Sequence, residues 1–430
     1  MDHKVTEHEL TGGARLLAVQ IPNTITFYWG SFFRAGWRFI TNEPYELPHI
    51  AEHMAFTGTK SYPDDIAFKV EIERDGTYYN ASTSSNQVSY YFVGSREEIK
   101  RIIPLNMSQI YEPLYRKEHV KQEQQVITRE MSRYKENDNW RANYNAWHLI
   151  NPRTNPDIDK RISEIATITV EDMRTYHKKF YGTANTAFVL AGDYSDAELT
   201  EIIALVNEQL KDRPKGELHK FEPEEFGDFG GKIMTLAPYR DNQSVFLLQF
   251  VRPGLDEVAE PALAILSTMC TGGMSARLHY RARQAGLTYG IGSGSNTSPD
   301  QTLFAVSSQT SLEQLKPLVE LAVKELADLG GGGFTDEELA RAIGFRVGAT
   351  RRGRQTAPQY AGWYADRFMV NMPQESPEDW VAKLQAVDRQ AVLDAYKKYI
   401  RLDTSLLTLV GKDLDKKVDD YEAVLDKYLA

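Results

Sequence analysis

The stretch HIAEHMAFTGT, residues 49–59, places two histidines four residues apart with a glutamate between them. Apolar spacing predicts a helix from Leu47 to Phe56, on which His49 and His53 project from one face a turn apart. Their ring nitrogens can then converge on one ion, with Glu52 beside it. The pattern H-x-x-E-H arises by chance in about one chain in a hundred of this length, so a polar helix patch stays open as the alternative.

A zinc site that performs catalysis uses three protein ligands, so a third donor is required. The predicted helix from about Glu118 to Glu136 holds Glu123 and Glu130 seven residues apart, hence on one face and two turns from each other. Val126 and Ile127 lie between them, and a carboxylate on the packed side of a helix is usually paired or bound to a metal. A solvated helix face stays open as the alternative for Glu123.

Composition indicates a large folded chain. The 430 residues are too many for one ordinary core and predict at least two domains. With 42% hydrophobic and 26% charged residues, the chain has the composition of a globular protein. Its formal charge of -10 argues against a dedicated nucleic-acid binder. The single cysteine, Cys270, cannot form an intrachain disulfide and is interpreted as a small buried side chain.

Targeting signals are not recognisable in this sequence. The first residues, MDHKVTEHEL, lack the apolar segment of a signal peptide, and no run of about 18 uncharged apolar residues predicts a membrane span. The cytoplasm is therefore the expected compartment, although a leader removed from a precursor would place the same chain in the periplasm.

Strand-like and helix-like segments alternate in both halves, which indicates an α+β fold. Runs rich in β-branched and aromatic residues predict strands at 14–21, 24–33, 87–94 and 186–192 in the first half. Between them, apolar periodicity predicts helices at 47–56, 64–74, 96–111, 118–136 and 170–180.

The division into domains is expected near the middle of the chain. Residues 211–232 carry charges, two prolines and four glycines without an apolar period, as an exposed linker does. We expect an N-terminal metal-binding domain at 1–215, a linker at 216–232 and a C-terminal domain at 233–430. Residues 168–193 align without a gap on residues 387–412 at a constant offset of 219, which predicts two related halves.

Three segments in order, HIAEHMAFTGTKSYP, DGTYYNASTSSNQVSYYF and EQQVITREMSRYKEN, carry a resemblance. The chain resembles the inverzincin zinc metallopeptidases, which include pitrilysin, insulin-degrading enzyme and, closest in size, the mitochondrial processing peptidase group with its bacterial relatives. The resemblance is strong over residues 30–140 and weaker beyond. It implies two related α/β-sandwich domains, each a mixed sheet with helices packed on one face, that form half of a clamshell.

The same resemblance assigns the metal site. Glu130 follows His53 after 76 intervening residues, as the third ligand does in this family. His49, His53 and Glu130 would then hold one Zn²⁺ per chain, Glu52 would be the catalytic base, and Glu123 would support the site from the same helix. The order H-x-x-E-H is itself known among metallopeptidases.

Substrate-binding residues are implied in both halves. Asn80 and Ala81 resemble the family segment that begins a strand beside the metal, to which an extended substrate adds by backbone pairing. In the second half, YRARQAGLTYG resembles a family pattern that pairs an arginine with Tyr289 seven residues later, but Ala282 occupies the arginine position here. Arg281 and Arg283 flank it, and both are candidates.

Together with these residues, the family resemblance implies a zinc metalloendopeptidase that hydrolyses extended or unfolded peptides in a chamber enclosed by two chains. The partner would be an identical chain or a related chain that supplies the arginine–tyrosine pair, with no nucleic acid and no membrane span. Two alternatives stay open: a noncatalytic peptide-binding or assembly subunit of a peptidase heterodimer, and a zinc protein without peptidase activity.

Overall fold

The computed structural model describes residues 2–222, 224–239 and 243–429, which form an α+β protein with two mixed sheets. This confirms the predicted fold class. The chain divides into two compact units. Unit 1 consists of Met1–Ser132, Pro156–Glu222 and Arg354–Gln374, and unit 2 consists of Arg133–Asn155, Pro223–Gly353 and Glu375–Ala430.

Unit 1 contains a six-stranded sheet. Its strands are β1 (Lys4–Glu9), β2 (Arg15–Gln20), β3 (Thr26–Phe33), β4 (Tyr78–Thr83), β5 (Val88–Ser95) and β6 (Thr186–Gly192). They lie in the order β1-β2-β6-β3-β5-β4, in which β2 and β6 are parallel and the other neighbours antiparallel. Strand β4 is therefore an edge strand.

Unit 2 contains a five-stranded sheet. Its strands are β7 (Lys232–Leu236), β8 (Ser244–Pro253), β9 (Ile291–Thr297), β10 (Gln301–Thr310) and β11 (Ser405–Val410). They lie in the order β7-β11-β8-β10-β9, with only the β7–β11 pair parallel.

The α-helices of the described residues are α1 (Leu47–Met54), α2 (Asp65–Glu73), α3 (Ile99–Tyr111), α4 (Lys117–Lys135), α5 (Asp138–Ile150), α6 (Ile158–Glu164), α7 (Val170–Phe180), α8 (Asp196–Leu210), α9 (Glu260–Thr271), α10 (Arg277–Gln284), α11 (Leu312–Gly330), α12 (Asp336–Arg352), α13 (Ala357–Met369), α14 (Pro377–Gln385), α15 (Arg389–Tyr399) and α16 (Val418–Leu429). Within the described ranges, no helix has the length and apolar content that a bilayer crossing requires.

The predicted repeat corresponds to one structural unit in each half. Helix α7 and strand β6 match helix α15 and strand β11 at the offset of 219, since Val170 corresponds to Arg389 and Thr186 to Ser405. Both strands lie in the interior of their sheet and pair in parallel with one neighbour. The two halves therefore share an architecture that the sequence preserves only weakly.

Helices cover both faces of the unit 1 sheet, where the resemblance implied one face. Every residue of β6 is buried, which requires cover on both sides because successive side chains alternate between faces. On one side of the unit 1 sheet, the Trp29 indole donates to Asn106 of α3 at 2.9 Å. On the other side lies α13, whose Tyr360, Tyr364 and Phe368 join a core cluster with Val19 and Val189.

This packing exchanges helices between the halves of the sequence. Helix α13 belongs to unit 1 although its sequence lies in the second half, and α5 belongs to unit 2 although its sequence lies in the first. Ala142, Ala146 and Ile150 of α5 pack on Val245 and Leu406 of the unit 2 sheet. The contiguous boundaries expected from composition, 1–215 and 233–430, differ from the units in these two segments.

The segment expected to be an exposed linker has anchored aromatic residues. Phe221 lies beneath the guanidinium groups of Arg34 and Arg38, at 4.6 and 5.1 Å from its ring centroid, within unit 1. Phe229 is buried in the core cluster of unit 2. Composition alone does not reveal these contacts, because Arg34 and Arg38 precede Phe221 by more than 180 positions and the partners of Phe229 come from several separate segments.

Replacing Phe368 on α13 by alanine tests the exchanged helix. Loss of this buried ring is expected to lower the free energy of unfolding by about 3–5 kcal/mol. Chemical denaturation followed by circular dichroism measures the change. The matched control is Gly362→Ala on the exposed side of α13, where an added methyl group meets no atom within 4 Å. It is expected to stabilise the protein by about 0.5–1 kcal/mol. Equal stability of Phe368→Ala and parent would contradict the packing.

Candidate metal centre

Helix α1 carries the histidines on the side opposite its core contacts. Leu47, Ile50 and Met54 are buried, and their spacing defines one apolar face. Pro48 in the first turn has the backbone angle that a helix start requires. His49 and His53 therefore share the other face, with ring centroids 4.8 Å apart.

Helix α4 brings the third predicted donor to these histidines. One ligand atom from each of His49, His53 and Glu130 lies within 4.8 Å of the other two. The His49 Nε2 atom is 3.9 Å from Glu130 Oε2. Two imidazole nitrogens and one carboxylate oxygen are a donor set that suits Zn²⁺ and leaves a coordination position open. The residues present therefore fit the metal.

Each histidine uses its second nitrogen for a carboxylate. His53 Nδ1 donates to Glu123 of α4, the glutamate expected to support the site, at 3.1 Å. His49 Nδ1 donates to Glu46 at 3.0 Å. In both cases Nδ1 is occupied, so Nε2 is the nitrogen available to an ion. Sequence reasoning missed Glu46, although its position three residues before His49 was a usable signal.

Glu46 lies in a charged cluster beneath the metal centre. Its carboxylate also accepts a hydrogen bond from Arg161 of α6. Burial alone would raise the pKa of the Glu46 carboxyl, but the hydrogen bond from His49 and the charge of Arg161 outweigh it, so the pKa lies below its ordinary value. For His49 the signs are reversed: burial alone would lower the pKa of the imidazole. The hydrogen bond to Glu46 and its negative charge outweigh burial, so that pKa lies above its usual value.

Glu52 is buried beside the histidines and is oriented by the neighbouring strand. The Thr83 hydroxyl of β4 donates to Glu52 Oε2 at 2.6 Å. Burial raises the pKa of the Glu52 carboxyl, although Thr83 and the two histidines act in the opposite direction. The sequence contained no signal for Thr83, because its contact depends on how β4 packs on α1.

The predicted substrate residues of the first half lie on an edge strand of the unit 1 sheet. Asn80 and Ala81 belong to β4, which within the described residues pairs only with β5. A cavity of about 750 Å³ adjoins this strand and reaches the metal centre. The residues that line it are Glu52, His53, Phe56, Thr57, Lys69, Glu73, Gly76, Thr77, Tyr78, Tyr79, Asn80 and Glu123. The Phe56 and Tyr79 rings lie 5.7 Å apart.

The predicted residues of the second half belong to unit 2. Arg281 of α10 is tied to Glu325, which is only 2% exposed. Arg283 is exposed, and its guanidinium lies 5.3 Å from the ring centroid of Tyr289, which is 89% exposed. Ala282 between them is buried. The two candidate arginines therefore differ in their contacts, and only Arg283 forms a pair with Tyr289.

Two family models match the chain. Insulinase (Peptidase family M16) matches residues 19–151, the range that contains His49, His53 and Glu130. Peptidase M16 inactive domain matches residues 167–344. Together the two matches cover most of the chain.

Two curated relatives are similar in length to this chain. An uncharacterized zinc protease of Rickettsia felis is 24% identical over 78% of this chain and 80% of its own. An uncharacterized zinc protease of Streptomyces coelicolor is 22% identical over 95% of this chain and 90% of its own.

Solved structures show the same fold. A protease from Helicobacter pylori superposes with a TM-score of 0.84 at 17% identity, covering 95% of this chain and 99% of that one. A structure described as a peptidase M16 inactive domain, from Pseudomonas fluorescens, has a TM-score of 0.83 at 19% identity, with 95% and 98% covered. Since the two family models account for most of the chain in consecutive order, the protein belongs to peptidase family M16.

Proposed function

We propose that this protein is a zinc metalloendopeptidase that hydrolyses peptide bonds of extended or unfolded peptides. His49, His53 and Glu130 hold one Zn²⁺ per chain, and Glu52 transfers the protons. The observation that carries the proposal is the convergence of these three donors to within 4.8 Å, with the Glu52 carboxylate on the same helix as both histidines.

The chemistry follows from the residues around that centre. Zinc supplies Lewis acidity, which polarises a carbonyl and makes water acidic near neutral pH. Glu52 accepts a proton from the attacking water and donates it to the nitrogen of the departing amine, so that one peptide bond breaks and one water is consumed. Thr83 supports this work because its hydroxyl fixes Glu52 Oε2 while the second carboxylate oxygen stays available.

The edge strand β4 supports an extended substrate. Its outer backbone groups pair with no other strand of the sheet, so a peptide can add there with little demand on its sequence. Asn80 and Ala81 are the proposed contact residues on this edge. The adjoining cavity of about 750 Å³ has room for a substrate side chain, with Phe56 and Tyr79 as aromatic walls.

In unit 2, Arg283 is the proposed substrate-gripping arginine. Its contact with Tyr289 leaves both groups exposed, whereas Arg281 neutralises the buried Glu325. Because the family resemblance implies half of a clamshell, the proposal includes a dimer of identical or related chains that encloses the chamber. The localisation proposed with this activity is the cytoplasm.

Metal binding is the first test. Chelator-stripped protein is expected to bind one Zn²⁺ per chain, measured by competition with a chromogenic chelator. Glu130→Gln is expected to weaken zinc binding by about a hundredfold or more, because removal of a ligand exceeds the roughly 10–100-fold effect of an outer partner. Glu118→Gln, on the exposed first turn of α4, is the control and should bind as the parent does. Equal affinity of Glu130→Gln and parent would remove Glu130 from the site.

Peptide cleavage is the second test. The zinc-loaded protein is incubated with a mixture of unfolded peptides, and products are identified by mass spectrometry. Glu52→Gln is expected to lower the cleavage rate by about 10²–10⁴-fold while zinc stays bound, since proton transfer is lost. The control is Glu97→Gln, an exposed position. Cleavage by Glu52→Gln at the parent rate would refute the mechanism.

The same assay separates the alternative function. A parent that cleaves only after a second, related chain is added would establish a heterodimer. A parent that binds peptides and zinc but cleaves nothing with any related chain would favour the noncatalytic subunit.

The two arginines of α10 give a third test. Arg283→Ala is expected to lower kcat/KM about tenfold, as the loss of one charged contact of about 1.4 kcal/mol would. Its unfolding midpoint should not change, because the side chain is exposed. Arg281→Ala is expected to reduce stability by about 1–3 kcal/mol, since it removes a partner of the buried Glu325. The reverse pattern would identify Arg281 as the substrate contact.

A further inference from the structure

The mechanism leaves one buried charged cluster near the metal centre unused. It comprises Glu46, Arg161, Trp37 and Tyr45, all in unit 1. We propose that Glu46 is a positioning residue that holds the His49 ring with Nε2 toward Glu130, and that Arg161 and its two aromatic neighbours hold Glu46 in place. This inference rests on the proposed metal site and extends it to a residue that does not touch the ion.

Both oxygens of the Glu46 carboxylate have a partner. Oε2 accepts from His49 Nδ1 at 3.0 Å, and Oε1 accepts from Arg161 Nε. The side chain is completely buried, and so little of Arg161 is exposed (5%) that water competes with neither bond. A carboxylate that is hydrogen-bonded through both oxygens is held in one orientation. Its hydrogen bond to His49 Nδ1 then fixes the orientation of the imidazole ring.

Aromatic rings fix the position of Arg161. Its guanidinium carbon lies 4.7 Å from the centroid of Trp37 and 4.6 Å from that of Tyr45. The two rings are themselves stacked, 5.5 Å apart and inclined by 11°. Contacts of this kind favour a planar guanidinium over the ammonium of lysine.

The cluster also links separate parts of unit 1. Tyr45 and Glu46 directly precede α1, Trp37 lies in the turn before them, and Arg161 is on α6. The start of α1, and with it His49 in its first turn, is therefore tied to α6. Because Glu46 is at the N-cap of α1 and makes no hydrogen bond to the helix backbone through its side chain, its carboxylate is available for His49.

The two histidines are supported differently. The carboxylate of Glu123 that holds His53 is 17% exposed, whereas that of Glu46 is fully buried and paired with a cation. Water can replace Glu123 as a partner of His53, but it has no access to Glu46. His49 is therefore the more rigid ligand, and its loss of orientation should weaken metal binding, for which outer partners typically contribute about 10–100-fold.

A purely structural ion pair is the competing explanation. In that case Glu46 and Arg161 would stabilise unit 1, and removal of the charge would change the unfolding temperature without changing metal affinity. Metal affinity of the folded protein is therefore the decisive measurement, together with the visible spectrum of the Co²⁺-substituted protein, which reports ligand geometry without any catalysis.

The test compares Glu46→Gln and Glu46→Asp with the parent in the full chain. Gln keeps the shape and removes the charge. Asp keeps the charge for Arg161 but is one methylene shorter toward His49. Both variants are expected to bind Zn²⁺ about 10–100-fold more weakly in chelator competition and to shift the Co²⁺ absorption bands. The Asp variant keeps the experiment decisive if Gln does not fold.

The matched control is Glu325→Gln. Glu325 is also a buried carboxylate paired with an arginine, but it lies in unit 2, whereas the proposed metal ligands lie in unit 1. It is expected to lose stability and keep parental zinc affinity. Parental zinc affinity and an unchanged Co²⁺ spectrum in the folded Glu46 variants would overturn the inference. A parent that binds no zinc would refute the proposed function instead, so the two failures are distinguishable.

Discussion

Three donors from two helices can share one ion only if α1 and α4 keep their facing positions to within about 0.5 Å. The contacts between them run in reverse order, since His49 meets Glu130 and His53 meets Glu123. The two helices are therefore antiparallel where they meet. Contacts elsewhere in unit 1 hold them in this alignment. The apolar face of α1, the start of α1 against α6, and β4 against Glu52 each fix one part of it.

Unit 2 has a related architecture but lacks the candidate metal ligands of unit 1. Helix α7 and strand β6 recur as α15 and β11, with the same parallel pairing inside a mixed sheet. The helix that follows strand β8, α9, is buried over almost its whole length and contains no histidine. A shared fold thus carries the proposed metal ligands in one half and a pair of exposed substrate-gripping candidates, Arg283 and Tyr289, in the other.

Much of the fold was predictable because its elements have strong local periodicity. The helices predicted at 47–56, 118–136 and 170–180 correspond to α1, α4 and α7 within about two residues. The predicted strands correspond to β2, β3, β5 and β6. Helices α5, α6 and α8 and strand β1 were not predicted, and the exchange of α5 and α13 has no local signal because it depends on which sheet face is left uncovered.

The residues of the candidate site also fall into those that the sequence predicted and those that it did not. Spacing within one helix predicted His49 with His53 and Glu123 with Glu130, whereas the pairing of the two helices came from the family resemblance. Thr83 and Arg161 were beyond reach, because their partners Glu52 and Glu46 lie 31 and 115 positions away and no pattern joins them.

The exchanged helices also determine which truncated fragments of this chain can fold. A fragment that ends at the linker would retain the whole unit 1 sheet and lack α13, so the apolar side chains of Val19, Phe32 and Val189 would face water. It would also carry α5 with its own partners missing. A contiguous half of the sequence is therefore not a unit that can fold by itself. A soluble first half would require α13 to be grafted onto it, because truncation alone leaves one face of the sheet uncovered.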